Sequence, residues 1–198
     1  MKIEIIHQPL SFENKGTTIF DHLRQIVQFA INFAGKLSWK TLIGHASKAG
    51  IELIRPSLEE FLSYDSTVSF TIRLDYDKDM FKTVKKLWSL QNEIQQKFSP
   101  NRFEINIFLS PNKKEILHIK MHWLSAQNTN DERHYILFGS PNLSSGGLRK
   151  NAELAACLHL SRKDKEQIVQ FEKIWEKYKT SKNSIPLSKY IHSNLLWH

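Results

Sequence analysis

The feature that most limits how this chain can fold is a succession of four strand-like runs lying between two amphipathic helical stretches. FEINIFL (103–109), ILHIKMHWL (116–124), HYILFGS (134–140) and NAELAACLHL (151–160) follow one another, joined by turn-rich segments. Their β-branched, aromatic and aliphatic content suits strands. The second run adds a constraint. Side chains alternate along a strand, so His118, Lys120 and His122 share one face while Ile119, Met121 and Trp123 point to the other. A polar row on a core strand costs desolvation energy unless a partner or a ligand satisfies it.

Upstream, helical and extended patterns alternate. KIEII (2–6) reads as a short strand followed by a loop ending at Gly16. TIFDHLRQIV (18–27) reads as a helix, with Ile19, Leu23 and Ile26 at helical spacing and Asp21 in its first turn. QFAINFAG (28–35), closed by Gly35, is expected to be a buried strand, and SWKTLIGHASKAG (38–50) returns to helical spacing through Trp39, Leu42, Ile43 and Ala46. RPSLEEFLS (55–63) places Pro56 just inside a helix start. TVSFTIRLDY (67–76) is strand-like, and residues 78–98 form a long helical stripe through Phe81, Val84, Leu87, Trp88, Ile94 and Phe98. The last helix, 163–178, holds Ile168, Phe171, Ile174, Trp175 and Tyr178 at core spacing, and the tail beyond it has too little pattern to assign. Strands alternating with helices early and clustering late indicate an α/β fold: a mixed central sheet flanked by helices on both faces, in one domain spanning 1–198.

Composition narrows the partners. A net charge of +8 and a pI near 9.5 favour polyanions, nucleic acid first and an anionic membrane surface second. Basic residues outnumber acidic ones after Ser161, in the last helix and tail (161–198). That helix reads either as a solvated face or as a set of phosphate contacts. No apolar run approaches the length of a membrane span, and Glu4 and His7 interrupt the start where a signal peptide needs an apolar stretch. A lone cysteine, Cys157, sits in an apolar run as a core residue, so a cytoplasmic location is expected.

The chemistry gathers between residues 117 and 158. In FGSPNLSSGGLRKNAEL, Gly139 permits close backbone approach at a strand end, and Ser140 and Asn142 present a hydroxyl and an amide. Ser144, Ser145, Gly146 and Gly147 form a turn-rich stretch of the kind that makes an anion-binding nest. Arg149 and Lys150 add charge, and Asn151 and Glu153 open the next strand. Together with His118 and Lys120 they make a phosphate-binding inventory. A metal site from His118 and His122 would need a helix and a further ligand, so no metal is expected. Ser140 lacks the Gly-x-Ser-x-Gly surroundings of a hydrolase nucleophile.

HIK (118–120), GSPN (139–142) and NAE (151–153), in that order, resemble the signature of the phospholipase D superfamily; NLSSGGL (142–148) is similar to its nuclease and restriction-endonuclease-like members. The resemblance implies one repeat of that fold per chain, with His118 as a nucleophile forming a phosphohistidine. It also implies that Lys120 and Asn142, with Ser140 and Ser145, hold phosphate oxygens, and that Glu153 orients an imidazole, with no metal or cofactor. Because His-x-Lys occurs once, at His118, a homodimer with one shared active site is implied. The expected activity is cleavage of nucleic acid, DNA first, in a restriction or defence setting where a partner protein could supply targeting. The alternatives are a phospholipid-hydrolysing enzyme of the same fold, or an inactive DNA-binding or scaffold subunit. Two positions depart from the pattern. Ser125 stands where the superfamily has an Asp, and SAQNTNDER (125–133) lengthens the spacing to Gly139, which is read as a longer hairpin loop. Asp131 in that loop is not expected to replace the missing Asp.

Overall fold

The computed structural model describes residues 1–9, 17–74, 80–110 and 117–194. Its strands are β1 (Lys2–Gln8), β2 (Lys36–Ile43), β3 (Ser66–Arg73), β4 (Phe103–Phe108), β5 (Lys120–Gln127), β6 (Glu132–Gly139), β7 (Glu153–Ser161) and β8 (Ser184–Pro186). The helices are α1 (Ile19–Phe33), α2 (Lys48–Leu62), α3 (Met80–Lys97), α4 (Lys165–Lys179) and α5 (Leu187–Asn194). All eight strands join one sheet in the order β1-β7-β6-β5-β2-β3-β4-β8. β2, β3 and β4 run parallel, whereas β5, β6 and β7 form an antiparallel meander, so the sheet is mixed as expected.

Both faces of the sheet are covered. On one, α1, α2 and α3 pack on Trp39, Phe70, Phe103, Leu124 and Leu137. On the other, α4 packs Trp175 against Met121, Trp123, Ile136 and Leu158, with Phe171 and Tyr178 beside it. The aromatic stripe of the last helix therefore packs on the core as its spacing indicates, whereas Ile174, expected in the same stripe, is 39% exposed. β5 separates its residues as a strand must: Met121 and Trp123 face α4, while Leu124 and Ala126 join the opposite core.

Several expectations between residues 28 and 62 are corrected. QFAINF is not a strand but the second half of α1, whose buried stripe continues from Leu23, Ile26 and Val27 to Ala30 and Ile31. Thr18 and Asp21 close a reciprocal capping box at its start. SWKTLI is not helical but forms β2. A parallel central strand is buried on both faces and loses the alternation that marks a half-exposed one, so Trp39, Leu42 and Ile43 imitate helical spacing. Pro56 lies inside α2 rather than at its start. An interior proline costs about 3 kcal/mol of helix propensity, and burial of Ile51, Ile54, Leu58, Phe61 and Leu62 outweighs it.

The long hairpin loop is also corrected. β5 runs to Gln127 and β6 begins at Glu132, so the extra residues lengthen the strands and only 128–131 turn. The expected strand over 116–124 starts later, at Lys120, with Leu117–Ile119 leading into it; residue 116 lies outside the described residues. The loop ending at Gly16 and the ends of the stretches 67–76 and 78–98 also fall partly outside them. The tail supplies β8 and α5, neither of which its pattern reveals.

Candidate active site

The strand register brings the motif residues to one end of the sheet. Ile43 at the end of β2 lies opposite Lys120 at the start of β5. Met121 lies opposite Phe138, and Gly139 at the end of β6 lies opposite Ala155 near the start of β7. His118, Lys120, Ser140 and Glu153 therefore stand at the same edge, contributed by three consecutive antiparallel strands and the residues flanking them.

The polar row of β5 is graded in depth. His118 is exposed just ahead of the strand, Lys120 is 8% exposed and His122 5%. His122 belongs to the core: its Nδ1 lies 3.1 Å from Thr41 Oγ1, its ring packs edge-on against Trp39, and burial pushes its pKa down to about 4. Lys120 Nζ stands 3.1 Å from Nδ1 and 2.9 Å from Nε2 of His118. A neutral imidazole has one ring lone pair, so the ammonium can donate to only one nitrogen and keeps its other N–H groups available. Desolvation lowers the Lys120 pKa; Glu153 opposes the shift and Arg73 adds to it.

Ser140 and Glu153 form the second half of the cluster. Ser140 Oγ donates to Glu153 Oε2 and accepts from the Leu154 amide at 3.1 Å, and its own amide donates to Leu154 O at 3.0 Å. Gly139 makes this possible. Its φ is +156°, and a Cβ there would lie 2.4 Å from Leu154 O, which is the close approach expected of it. No hydrogen bond joins Glu153 to His118 among the described residues; the carboxylate instead accepts a hydrogen bond from the Ser140 hydroxyl and acts on Lys120 through its charge.

Asn142 is half-buried, and its Oδ1 is buried without a hydrogen-bond partner among the described residues. The loop after β2 ties this segment to the His118 segment. Gly44 N donates to Ile119 O at 2.8 Å, Leu143 N donates to His45 O at 3.1 Å and Ser47 N donates to Leu143 O at 2.9 Å. Sequence reasoning missed this clip because it took the stretch for helix. The signal was present in Gly44 followed by Ser47, which caps α2 by accepting from Gly50 N at 3.2 Å.

The Ser144–Gly147 stretch binds largely to itself. The amides of Ser144, Gly147 and Leu148 donate to Asn142 O, Ser144 Oγ and Ser144 O, and the chain then winds into a π-helical turn over Gly146–Lys150. Two amides of the expected nest, those of Ser144 and Gly147, are thus committed internally, and Ser145 sits at the cap of the turn with no side-chain capping bond. Arg149 leaves the cluster and lies 4.5 Å over the Phe20 ring. A residue the sequence did not single out holds the turn: buried Gln8 donates to Asn151 O at 2.8 Å and Gly147 O at 3.3 Å and accepts from Ile19 N at 2.8 Å.

The two departures from the motif lie away from the cluster. Ser125 bonds Ser38 at 3.1 Å, five residues along β5 from Lys120 and on the α4 side. Asp131 pairs with Arg133 at 2.6 Å in the turn at the far end of the sheet. Among the described residues no group of three or more His, Cys, Asp or Glu is placed to hold a metal ion, and no helix is long and apolar enough to cross a membrane.

No protein-family profile and no curated protein matches the sequence. Solved structures do match the fold. NucT from Helicobacter pylori is 14% identical with a TM-score of 0.59, covering 93% of this chain and 98% of that one. Nuc from Salmonella typhimurium, a phospholipase D family member, is 14% identical with a TM-score of 0.52, covering 93% and 97%. Phosphatidylserine synthase from Haemophilus influenzae is 11% identical with a TM-score of 0.63 and covers 93% of this chain but only 39% of its own. The chain has the phospholipase D superfamily fold, with its eight-stranded mixed sheet between helices.

Proposed function

We propose that this chain is a phospholipase D-type phosphodiesterase that cleaves nucleic acid, DNA first, through a phosphohistidine on His118. The observation that carries the reading is the pair formed by an exposed imidazole and a desolvated ammonium, His118 and Lys120, at a solvent-open strand edge. A ring nitrogen of His118 attacks phosphorus; the N–P bond forms as the P–O bond to the leaving alcohol breaks. A second imidazole protonates that oxygen. Water then attacks the phosphohistidine, the N–P bond breaks, and a phosphomonoester leaves. Lys120, Asn142 and Ser145 bind the non-bridging oxygens, Asn142 through its amide N–H groups. Glu153 holds Ser140 and balances the charge of Lys120. No metal or cofactor takes part in this reading.

The second imidazole is His118 of a second copy, the whole chain acting as one domain. Two observations support this. The chain matches NucT and Nuc over nearly their whole lengths, whereas it covers 39% of phosphatidylserine synthase. In addition, Ile3, Ile5 and Leu154 are 53%, 69% and 59% exposed on adjoining strands, on the face of the sheet opposite to that of Glu153. An exposed apolar surface suits contact with a second copy. It also suits a lipid substrate, the second reading. In a restriction or defence setting, a partner protein would direct the enzyme to its target.

The test is cleavage of supercoiled plasmid and single-stranded DNA in EDTA by the purified chain and by His118→Ala. Cleavage that persists in EDTA and disappears in the variant is expected. A correctly dimeric wild-type chain that leaves both nucleic acids intact but hydrolyses phosphatidylcholine vesicles would establish the lipid reading instead.

A further inference from the structure

We propose that Phe81, with Lys48, Lys82, Lys85 and Lys86, forms a non-catalytic site that grips single-stranded nucleic acid next to the reacting edge of the sheet. The inference rests on the nucleic-acid reading above and adds the strandedness of the substrate and the surface that selects it.

Topology puts these residues at the right end of the molecule. β2 and β3 are parallel, and α2 and α3 each begin beyond the C-terminal end of the strand before them. That end of β2 is the one that meets Lys120. Lys48 is the first residue of α2, and Lys82, Lys85 and Lys86 lie in the first two turns of α3. Arg73, the last residue of β3, donates from Nε to Gly44 O at 2.8 Å and acts electrostatically on Lys120. With neighbouring strands about 4.8 Å apart, β3 lies roughly 10 Å from β5 across the sheet. A strand of nucleic acid leaving the scissile phosphate reaches the lysines within a few nucleotides.

The chemistry of the surface is specific in two respects. First, Lys48, Lys82, Lys85 and Lys86, with Ser89, line an open cleft of about 310 Å³. Lys86 is ion-paired with Glu52, and the cleft's positive charge rests on Lys48 and Lys85. Second, Phe81 does not join the core stripe of α3: it is 44% exposed, with Lys85 Nζ 4.4 Å from its ring centroid. An exposed aromatic ring among ammonium groups meets the needs of a single strand, which offers an unstacked base to the ring and phosphates to the cations. A duplex keeps its bases stacked inside and can use only the charge. An anionic lipid surface likewise offers phosphate but no flat partner for the ring.

The test uses the full chain in a His118→Ala background, so that bound nucleic acid stays intact. Affinity for a labelled single strand of about 20 nucleotides and for the matching duplex is measured across a salt series, with Phe81→Ala and with Lys48→Ala/Lys85→Ala. Single-strand affinity is expected to fall about 10-fold or more with Phe81→Ala and duplex affinity to stay within about 2-fold, stacking being sensitive to removal of the ring. The lysine pair should reduce the single-strand salt slope by about 1.4, or about 0.7 for each phosphate no longer neutralised by a lysine. With His118 restored, the same substitutions should leave hydrolysis of bis(p-nitrophenyl) phosphate unchanged, which also verifies folding. If the parent chain cuts DNA and both variants bind it with unaltered affinity and slope, this site is overturned and the nuclease reading stands. If the parent hydrolyses the small diester but binds neither nucleic acid, both are overturned. Phosphatidylserine vesicle binding that these substitutions abolish, with oligonucleotide affinity unchanged, assigns the surface to membranes and also overturns the proposal.

Discussion

Lys40 and Lys120 lie on neighbouring central strands, β2 and β5, and point to opposite sides of the sheet. Lys40 lies opposite Trp123 and Lys120 opposite Ile43. Both ammonium groups are withdrawn from water, yet their surroundings differ. Lys40 Nζ is held by both carboxylate oxygens of Glu172, at 2.7 and 2.9 Å, and stands 4.6 Å from the ring centroid of Trp123 and 5.9 Å from that of Trp175. Its charge is matched and its donors are occupied, so it fastens α4 to the sheet. Lys120 contacts a neutral acceptor, the imidazole of His118, and feels Glu153 and Arg73 only through their charges. A lysine with three donors and no carboxylate in contact can accept an anion that Lys40 cannot. Burial alone does not distinguish a structural cation from one that binds ligand; the degree of satisfaction does.

Lys120→Met should break the comparison most severely. DNA cleavage in EDTA is expected to drop about 10²–10³-fold, the effect of losing one donor to a developing oxyanion. The melting temperature should hold or rise, because an incompletely paired charge has been removed from a largely buried position. A large loss of stability with little loss of rate would make Lys120 another Lys40. Lys120→Arg sharpens the same point. Since the Lys120 pKa is lowered from 10.5, wild-type activity should fall on the alkaline side before an ordinary lysine titrates, and the arginine variant should carry its residual activity to higher pH.

The next effect comes from His122, two residues deeper on the same face. Its pKa is about 4 in the folded chain against 6.5 unfolded. The unfolded chain therefore takes up a proton that the folded chain refuses. Stability is full above pH 6.5, declines as pH falls from 6.5 to 4, and levels off below that, a loss on the order of 3 kcal/mol. Denaturant titrations at successive pH values would show this slope, and His122→Gln should flatten it. The smallest effect belongs to Lys40→Met. It should cost about 1–2 kcal/mol, because Glu172 is substantially exposed and the cation–ring contacts are modest. Its cleavage rate should match the wild type. A rate loss like that of Lys120→Met would erase the distinction between the two lysines.

Much of the polar cluster at this end of the sheet was legible because its residues fall in short windows. HIK, GSPN and NAE each hold two or more polar groups within a few residues, and strand register then gathers them. The core role of Phe171, Trp175 and Tyr178 was legible for a similar reason, since one helix face writes a local period. What could not be read depended on partners far along the chain. Gln8 binds residues 139 and 143 positions away, and its own neighbourhood gives no sign of that. The stretch 28–50 misled because burial on both faces removed the period of β2, while α1 ran on through a segment dense in apolar residues. The committed amides of Ser144, Gly147 and Leu148 depend on backbone geometry that glycine and serine content does not specify.

The seat of α2 has a consequence outside chemistry. Gly50, in its first turn, presses so closely on the segment after Asn142 that an added Cβ would lie 2.1 Å from Leu143 O and 2.6 Å from Ser144 N. A backbone contact cannot step aside as a flexible side chain can, so the smallest substitution must push either the helix or the asparagine out of place. A genetic screen for loss of function would therefore return Gly50 beside His118. This residue has no side chain to lend to a reaction, yet it leaves selection as little freedom as the proposed nucleophile does.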